Sequence, residues 1–353
     1  MTIASRIINL FAALTRVGAL AVTTVVLLGL QSCDNCFVYE DQQPCERHYY
    51  VKYVFDMNMN FADAFSSKVN SVTLLVVDPV SGEIIDRYSE AGEALSQPGY
   101  RMEVDLIPGD YELIAWCGLE DNPRFTLPAA LTHREHAHCR MDRDYDDNGR
   151  AVQSNWLPHL FHGKINASFP DEDGDHEVTV PLIKDTNNIN ISMQHVSGQP
   201  LNSDMFTVTM TENNGHMDFD NSLIEEEEVD YYPWHVADGN VDLSGSRAGD
   251  EPTLNYFMAE ISTSRLMADR NPRINITDNA TGNVVYSIPI VQWALEFRSA
   301  QHADMGRQEY LDREDEFNVM LYLDNKEEGG WIAASVYING WRVVKHDGTG
   351  FGN

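Results

Sequence analysis

The fold is decided by the stretch Tyr100-Arg101-Met102-Glu103-Val104-Asp105-Leu106-Ile107-Pro108-Gly109-Asp110-Tyr111-Glu112-Leu113-Ile114-Ala115. Apolar and polar residues alternate on both sides of its centre, and a period of two is typical of β-strands that bury one face. Pro108, Gly109 and Asp110 are residue types that tight turns favour. The stretch therefore predicts a β-hairpin.

The same alternation predicts further strands on both sides of this hairpin. Four alternate residues share one face of the first strand, namely Tyr49, Val51, Tyr53 and Phe55. A short β-branched apolar run follows at 72–77, and a closing strand is predicted at 178–182. Residues 118–160 show weaker periodicity and are predicted to form a long excursion from a first domain at 49–184.

Residues 184–188 are polar and lack apolar periodicity, so we place a domain boundary there and predict a second domain at 185–353. Its predicted strands are 189–191, 206–210, 274–276, 284–291, 317–323 and 331–338. A single helix is predicted at 292–310. Short strands separated by turn residues favour an all-β antiparallel sandwich over alternating helices and strands.

The first thirty-three residues have the pattern of a lipoprotein signal peptide. Arg6 and Arg16 precede an apolar run at 17–30 that is short for a membrane span, and Leu30-Gln31-Ser32-Cys33 resembles a lipobox. We predict a signal peptide at 1–32, fatty acyl chains on Cys33 and a lipidated spacer at 33–48. Several acyl chains would hold the body to a membrane. The alternatives are an ordinary secretory peptide or a buried core helix.

Charge and length agree with an exported protein. Residues 1–32 hold two arginines and no acidic residue, so the chain from Cys33 onward carries 22 Lys+Arg and 55 Asp+Glu, a net charge of −33. Such a surface repels nucleic acid and anionic membranes, which leaves anchoring to the lipid. No later apolar run approaches the length of a transmembrane helix.

Four cysteines remain once Cys33 is lipidated, and an even number in an oxidising compartment predicts two disulfides. They are Cys36, Cys45, Cys117 and Cys139. Three connectivities are open. Proximity in the sequence favours Cys36 with Cys45 and Cys117 with Cys139, although Cys117 lies in an apolar run and could instead be a buried thiol.

Several blocks of residues match a known family. The chain closes with Met305-Gly306-Arg307-Gln308-Glu309-Tyr310-Leu311-Asp312-Arg313-Glu314-Asp315-Glu316-Phe317, then Trp331, then Ile338-Asn339-Gly340-Trp341. Upstream stand Leu106-Ile107-Pro108-Gly109-Asp110-Tyr111 with Ala115-Trp116-Cys117-Gly118, Asn188-Ile189-Asn190-Ile191 with 206–215, and Ser264-Arg265-Leu266-Met267. In this order they resemble the FimB-type fimbrial anchor family of the fimbrillin superfamily, known from Bacteroidetes.

This resemblance implies two tandem transthyretin-like antiparallel β-sandwich domains in an outer-membrane lipoprotein that is exposed at the cell surface. Such a protein anchors a fimbria and limits its length, and its partners are the fimbrial shaft subunits. In this family a shaft subunit loses its N-terminal strand to a trypsin-like protease, and the open groove takes a strand from its neighbour. An anchor is expected to keep its first strand, because its N-terminus carries the lipid.

Two segments are therefore the candidate subunit contacts. One is the first strand with Tyr49, Val51, Tyr53 and Phe55; Arg47 before it is a candidate protease site that we expect an anchor not to use. The other is the C-terminal region from Trp331 to Val344, with Ile338, Asn339, Gly340 and Trp341. The alternative for this second segment is an ordinary core strand that ends in a turn.

Two clusters have residue types that bind metals. Asp144, Asp146, Asn148 and Gly149 match the first half of an EF-hand loop, but Asn155 stands at the twelfth position, where a glutamate belongs. Asp171, Asp173 and Asp175 form a similar acidic loop. His133, His136, His138 and Cys139 would suit zinc by type, with poor spacing. We expect exposed loops in each case, with no metal and no cofactor.

Catalysis is not indicated by any motif. Ser246 lies between Gly245 and Gly249 without the strand-to-helix context of a nucleophile elbow, and the acidic run 225–228 fits a solvated loop. The favoured function is a fimbrial anchor, and the first alternative is a tip or minor fimbrial adhesin with ligands on a host or bacterial surface. The second alternative is a glycan-binding lipoprotein that stacks sugars on Trp156, Trp234 and Trp293.

Overall fold

The computed structural model describes residues 46–120, 122–242, 253–326 and 329–343, and the fold below is that of the compact unit that begins at His48. The predicted signal peptide, Cys33, Cys36, Cys45, Ser246 and Val344 lie outside the described residues. Within them, no helix has the length and apolar character that crossing a bilayer requires.

The first part of the chain forms two facing sheets around one hydrophobic cluster. Its elements are β1 (Arg47–Val54), α1 (Phe65–Lys68), β2 (Ser71–Val77), β3 (Ile84–Ala91), a 3-10 turn (Glu93–Ser96), β4 (Met102–Val104) and β5 (Gly109–Cys117). After an excursion, β10 (Phe161–Phe169), β11 (Gly174–Pro181) and β12 (Ile183–Lys184) complete it. The sheet orders are β11-β1-β4 and β12-β10-β5-β2-β3. We call this pair of sheets the first sandwich.

The stretch at 100–115 does form two strands, but the predicted hairpin between them is wrong. β4 pairs with β1, whereas β5 pairs with β2 and β10 in the other sheet. Residues 105–108 therefore cross from one sheet to the other, and the Tyr111 hydroxyl donates to the Ile107 carbonyl oxygen at 2.8 Å. Both strands turn their apolar faces to the same cluster. This shared burial explains why apolar residues alternate on both sides of the crossing.

The five-stranded sheet is covered on both faces. Leu74 and Val76 of β2 point into the first sandwich, while Leu75 and Val77 pack in a second, larger cluster. A strand buried on both sides needs apolar residues at every position, and this explains the unbroken run of β2.

The excursion at 118–160 contributes buried side chains to the larger cluster. Its elements are the short strands β6 (Phe125–Thr126), β7 (Cys139–Met141), β8 (Asp144–Tyr145) and β9 (Ala151–Gln153), with a 3-10 turn (Arg134–His136). Residues 118–160 are thus mostly irregular, as predicted. Phe125, Ala137 and Leu157 from this segment pack with residues that follow position 188 and with the outer face of the five-stranded sheet.

The rest of the chain adds two six-stranded sheets, which we call the second sandwich. Its strands are β13 (Thr186–His195), β14 (Phe206–Glu212), β15 (His216–Met217), β16 (Val229–Tyr231), β17 (His235–Asp242), β18 (Thr253–Ser264), β19 (Arg273–Asp278), β20 (Val284–Pro289), β21 (Glu316–Asn325), β22 (Trp331–Ile338) and β23 (Trp341–Val343). The orders are β17-β18-β13-β21-β22-β23 and β20-β19-β14-β16-β9-β8, and a small sheet β15-β7-β6 lies beside them.

The predicted strands of the second part are confirmed, with two corrections. β13 with β21 and β9 with β16 are parallel pairs within the otherwise antiparallel sheets. The predicted helix at 292–310 is wrong as a single helix, because α2 (Ile290–Glu296), a 3-10 turn (Ala300–His302) and α3 (Arg307–Arg313) replace it. The boundary between residues 184 and 185 falls between β12 and β13 and stays a prediction.

The predicted disulfide between Cys117 and Cys139 is not formed. Both are free, buried thiols, Cys117 in the core of the first sandwich and Cys139 in the larger cluster. Successive side chains of β5 point to opposite faces, so Trp116 faces the excursion and donates to the Ala137 carbonyl at 2.9 Å, while Cys117 faces away. Burial raises the pKa of both thiols.

Candidate functional site

The polar stretch at 184–188 is largely buried instead of forming an exposed linker. Lys184, Asp185, Thr186 and Asn187 are all buried at the junction of β12 and β13. Charged groups are rarely buried unless they are paired. The partners of these residues therefore show which elements the junction holds together. Lys184 Nζ pairs with the Asp315 carboxylate just after α3.

The central contact is a buried ion pair between β18 and α3. Arg265 Nε and Nη2 donate to the two carboxylate oxygens of Asp312 at 2.9 and 2.8 Å. Arg265 Nη1 donates to the Asn221 carbonyl oxygen at 2.6 Å, and Gln308 Nε2 donates to Asp312 at 2.9 Å. A bidentate arginine–carboxylate pair fixes both distance and orientation. We call Asp185, Asn221, Arg265, Gln308 and Asp312 the polar clamp.

Asp185 completes the clamp from the β13 side. It is fully buried, accepts a hydrogen bond from Asn221 Nδ2 at 2.9 Å and lies 3.9 Å from Arg265 Nε. Its Oδ2 and the Oδ1 of Asn221 both lack a donor. Burial raises the pKa of Asp185 to about 7, against the lowering effect of Arg265. A proton on this carboxyl group would supply the missing donor.

The helical geometry of α3 explains why its residues reach two parts of the molecule. Gln308 and Asp312 are four residues apart and share the face that meets Arg265. Glu309 and Arg313 share the neighbouring face, where they pair at 3.0 Å. From there Arg313 Nη1 donates to the Asp56 carbonyl at 2.8 Å, and its guanidinium lies 4.5 Å from the centre of the Phe61 ring. α3 thus joins the second sandwich to the loop after β1.

Two of the blocks that carried the family resemblance therefore meet in the clamp. The block at 264–267 supplies Arg265, and the block at 305–317 supplies Gln308, Asp312 and Arg313. Sequence reasoning gave these residues no role. Opposite charges next to apolar neighbours were the available signal, but nothing in the order of residues paired positions 265 and 312.

The first set of contact candidates lies inside the protein. Tyr49, Val51, Tyr53 and Phe55 are all buried in the first sandwich, which confirms the predicted face of the strand. β1 lies between β11 and β4, so both of its edges are occupied. The first strand is thus an integral part of the sheet.

The second set forms a hairpin at the edge of a six-stranded sheet. Asn339 and Gly340 have φ values of 46° and 82°, the signs that a two-residue type I′ turn requires, and they connect β22 to β23. Ile338 is buried, whereas Trp341 is 51% exposed on the outermost strand. An outermost strand leaves one row of main-chain groups unpaired within its sheet.

The acidic run at 225–228 is an exposed loop, as predicted, and three of its glutamates also form ion pairs. Glu226 binds Arg143 at 2.7 Å and Arg140 at 3.1 Å, and Glu227 binds Arg143 at 3.0 Å. Glu225 pairs with Arg270 at 3.3 Å. The two arginines at 140 and 143 come from the excursion, so these pairs fasten it to the second sandwich.

Several of the metal-type residues are engaged in other contacts. Asp146 Oδ1 accepts from the main-chain N–H groups of Asn148 and Arg150 in the β8–β9 turn, which lowers its pKa, and Asp144 pairs with Arg124 at 3.1 Å. Asp175 pairs with Arg101 at 2.8 Å. Among the described residues, no group of three or more His, Cys, Asp or Glu side chains could hold a metal ion.

The histidines of the zinc candidate point to three different places. His133 bonds the Ser81 carbonyl, His136 bonds Thr132, and His138 Nδ1 lies 2.7 Å from His216 Nε2. Burial and the neighbouring His216 lower the pKa of His138. The other ring nitrogen of His216 bonds Glu226 at 2.8 Å.

The tryptophans proposed to stack sugars divide into two kinds. Trp293 is buried in α2 and belongs to the larger cluster, so it is not available to a ligand. Trp156 and Trp234 are 47% and 40% exposed.

Comparison with known proteins places these features in a family. The family model of fimbrillin-A associated anchor proteins Mfa1 and Mfa2 matches residues 40–347. No match is found among curated proteins.

Solved structures of similar fold cover nearly the whole described chain. A "putative adhesin" from Bacteroides thetaiotaomicron has 31% identity and a TM-score of 0.72, covering 86% of this chain and 99% of its own. A second protein from that organism, described as one of the "putative polysaccharide binding proteins", has 27% identity and a TM-score of 0.71, with the same coverage. The fimbrial anchor protein Mfa2 from Porphyromonas gingivalis shares the fold, with 14% identity, a TM-score of 0.62 and coverage of 86% and 100%.

Proposed function

This chain belongs to the family of fimbrillin-A associated anchor proteins, and from that membership we propose that it is the lipid-held subunit at the base of a fimbria. In this role it anchors the fibre to the outer membrane through Cys33 and limits fibre length. It binds the first shaft subunit by strand complementation at its C-terminal edge.

The observation that carries this proposal is the position of β1. A shaft subunit of this family receives its neighbour's strand in the place from which its own first strand has been cleaved away. Here β1 fills that place between β11 and β4, and its four apolar side chains are buried. Cleavage at Arg47 is then unnecessary for a complete sandwich, and the chain keeps its link to the lipid.

The open edge supports the contact that we assign to the shaft. Among the described strands β23 is the outermost of its sheet, and its first residue, Trp341, offers a large exposed apolar surface. A strand added there would gain main-chain hydrogen bonds and bury the indole.

The anchoring role is tested in native cells with Cys33→Ala. The expected result is loss of the protein from the membrane fraction and release of fibres into the medium, while Cys36→Ala retains both. Fibres that stay attached to cells carrying Cys33→Ala would exclude the anchoring role. Immunogold label at the distal end of the fibres would favour a tip subunit.

The edge contact is tested with Trp341→Ala, and Trp234→Ala serves as the matched control because both indoles are exposed. We expect only Trp341→Ala to weaken capture of purified shaft subunits by the full-length protein. Equal capture by both variants would remove β23 from the contact.

A second candidate function is glycan binding. It is favoured by the two exposed tryptophans, Trp156 and Trp234, and by the similarity to the relative described as a "putative polysaccharide binding" protein. Retention of the purified protein on an oligosaccharide array tests it, and an array without any retained spot would dismiss it.

A further inference from the structure

Exposed tryptophans are unusual enough to require an explanation in this chain. Trp116 and Trp293 are buried in the core, so the fold has room for indole rings. Trp156 and Trp234 nevertheless lie at the surface with Tyr232, which is 36% exposed. Large apolar surfaces that stay in water mark binding sites more often than single small ones do.

The chain segments that carry the two indoles contact the same strand. The main-chain N–H of Trp234 donates to the Glu260 carbonyl at 2.9 Å, and the main-chain N–H of Leu157, next to Trp156, donates to the Ser262 hydroxyl at 3.1 Å. Residues 260 and 262 are two apart on β18, roughly 7 Å along the strand. Trp156 and Trp234 therefore flank the same short piece of this strand.

A row of polar side chains begins at this point and crosses four strands. The register places His235, Glu260, Asn190 and Asn318 side by side on β17, β18, β13 and β21. Neighbouring strands are about 4.8 Å apart, so the row is roughly 14 Å long. Asn190 Nδ2 donates to Asn318 Oδ1 at 3.1 Å, which holds both amides in one line.

These side chains lie on the outer face of the sheet. The alternate residues Ile189, Ile191 and Ala259 point inward and are buried, whereas Asn190 and Glu260 are half-buried and Asn318 is exposed. The row is thus accessible from solvent, and the segments that carry Trp156 and Trp234 meet β18 at and next to Glu260.

This combination fits the chemistry of a sugar chain. The C–H face of a pyranose packs on an indole, and its hydroxyl groups pair with planar amides and carboxylates that donate and accept side by side. An oligosaccharide of three rings spans a row of this length. The net charge of −33 beyond the leader disfavours anionic polymers.

We propose that the surface formed by Trp156, Trp234, Glu260, Asn190 and Asn318, which we call the tryptophan rim, binds a neutral oligosaccharide. The site deepens the second candidate function and rests on it. It shares no residue with the edge at β23, although the Asn318 main-chain N–H donates to the Asn339 side-chain oxygen of the β22–β23 turn at 2.8 Å.

The test uses the full mature chain on an array of neutral and anionic oligosaccharides, followed by titration calorimetry with the best neutral hit. Trp156→Ala and Trp234→Ala are each expected to lower affinity about tenfold, and Asn190→Ala about fivefold. Trp341→Ala is the matched exposed-indole control and should leave affinity unchanged. Circular dichroism and melting temperature verify that each variant folds.

The outcomes distinguish failure of the tryptophan rim as the binding site from failure of glycan binding as a function. Neutral-glycan binding that the rim variants lower and Trp341→Ala does not would establish the site. Binding that survives all three rim variants would overturn the site and keep glycan binding as a function. Retention of only anionic glycans would overturn the proposed ligand class, and no retention at all would overturn both. The fibre-capture result with Trp341→Ala is unaffected in every case.

Discussion

Asp185 is the residue at which the chemistry of this fold is most constrained. Its carboxyl group is fully buried beside Asn221 and Arg265, and one of its oxygens has no donor. Burial raises its pKa from 3.8 to about 7. The folded state therefore holds a proton at this site over a pH range in which the unfolded chain releases it.

The sign of the resulting pH dependence follows from that difference. Between about pH 4 and pH 7 the folded protein binds more protons than the unfolded one, so Asp185 lowers the free energy of unfolding as the pH rises, by at most about 1.4 kcal/mol per pH unit. We predict that Asp185→Asn removes this slope, because an amide supplies the missing donor without a charge. The variant should be the more stable protein at pH 8.

The measurement is urea denaturation of both proteins at several pH values from 4 to 8. Burial lowers the pKa values of His159 and His162 to about 4 and about 3, so these histidines raise the free energy of unfolding as the pH rises. Subtracting the free energies of the two proteins at each pH cancels this contribution. A difference that is constant with pH would show that Asp185 titrates normally.

Among the single substitutions that we propose, replacement of Arg265 is expected to lower the free energy of unfolding the most. Arg265→Met would leave Asp312 buried without its partner, which typically costs about 3–5 kcal/mol. The double variant Arg265→Met/Asp312→Leu removes both charges and should recover much of that stability. Chemical denaturation of the two variants measures this, and equal losses would mean that the pair does not act as a unit.

At the scale of elements, strand faces were predictable and strand pairing was not. The alternation at Tyr49–Phe55 and at 100–115 identified the buried sides correctly. A strand that buries one face requires apolar residues at every second position, which gives the sequence a period of two. The same alternation is compatible with any neighbour in the sheet. β4 and β5 consequently looked like a hairpin, although they belong to opposite layers of the first sandwich.

β18 was missed for a related physical reason. Its inward positions include Ala259 and Thr263, which are too small or too polar to mark a buried face. The clamp could not be predicted either, since Arg265 and Asp312 are 47 residues apart and meet only through tertiary packing. The resemblance located both blocks without assigning them a contact.

The crossing between β4 and β5 predicts a specific loss. Tyr111→Phe keeps the ring but removes the hydrogen bond to the Ile107 carbonyl, so stability should fall by about 1 kcal/mol. Tyr145→Phe is the control, because its hydroxyl bonds the partly exposed Glu227 at 2.8 Å and should contribute less. Thermal unfolding of the two variants is compared, and equal shifts would contradict a special role for the crossing.

The turn between β22 and β23 predicts a second loss of stability. Gly340 has a φ of 82°, where a side chain is strained, so Gly340→Ala should cost roughly 1–2 kcal/mol. Gly306→Ala is the control, since Gly306 precedes α3 with a φ of −53° that alanine adopts freely. Hydrogen exchange at β22 reports whether the hairpin frays. Equal exchange in both variants would count against the strained turn.

At the scale of the whole molecule, Arg313 connects distant parts of the chain. It bonds the Asp56 and Asn58 carbonyls and lies against Phe61, all of them far from α3 in sequence. We predict that Arg313→Ala increases protease cleavage and hydrogen exchange at 56–61 with only a modest change in melting temperature. Arg307→Ala, from the exposed side of α3, is the control. Unchanged exchange at 56–61 would mean that packing alone holds this loop.

The parallel pairing of β9 with β16 has a consequence for the time course of folding. The two partners are about 78 residues apart, since Ala151 is opposite Val229, and the sheet between β8 and β20 is complete only when both are present. Contacts of such long range close slowly and late. A chain that becomes available from its N-terminus onward cannot complete this sheet until β20, which ends at Pro289, is also available. Complete formation of this sheet is therefore expected to follow the release of most of the chain, and not to accompany its synthesis.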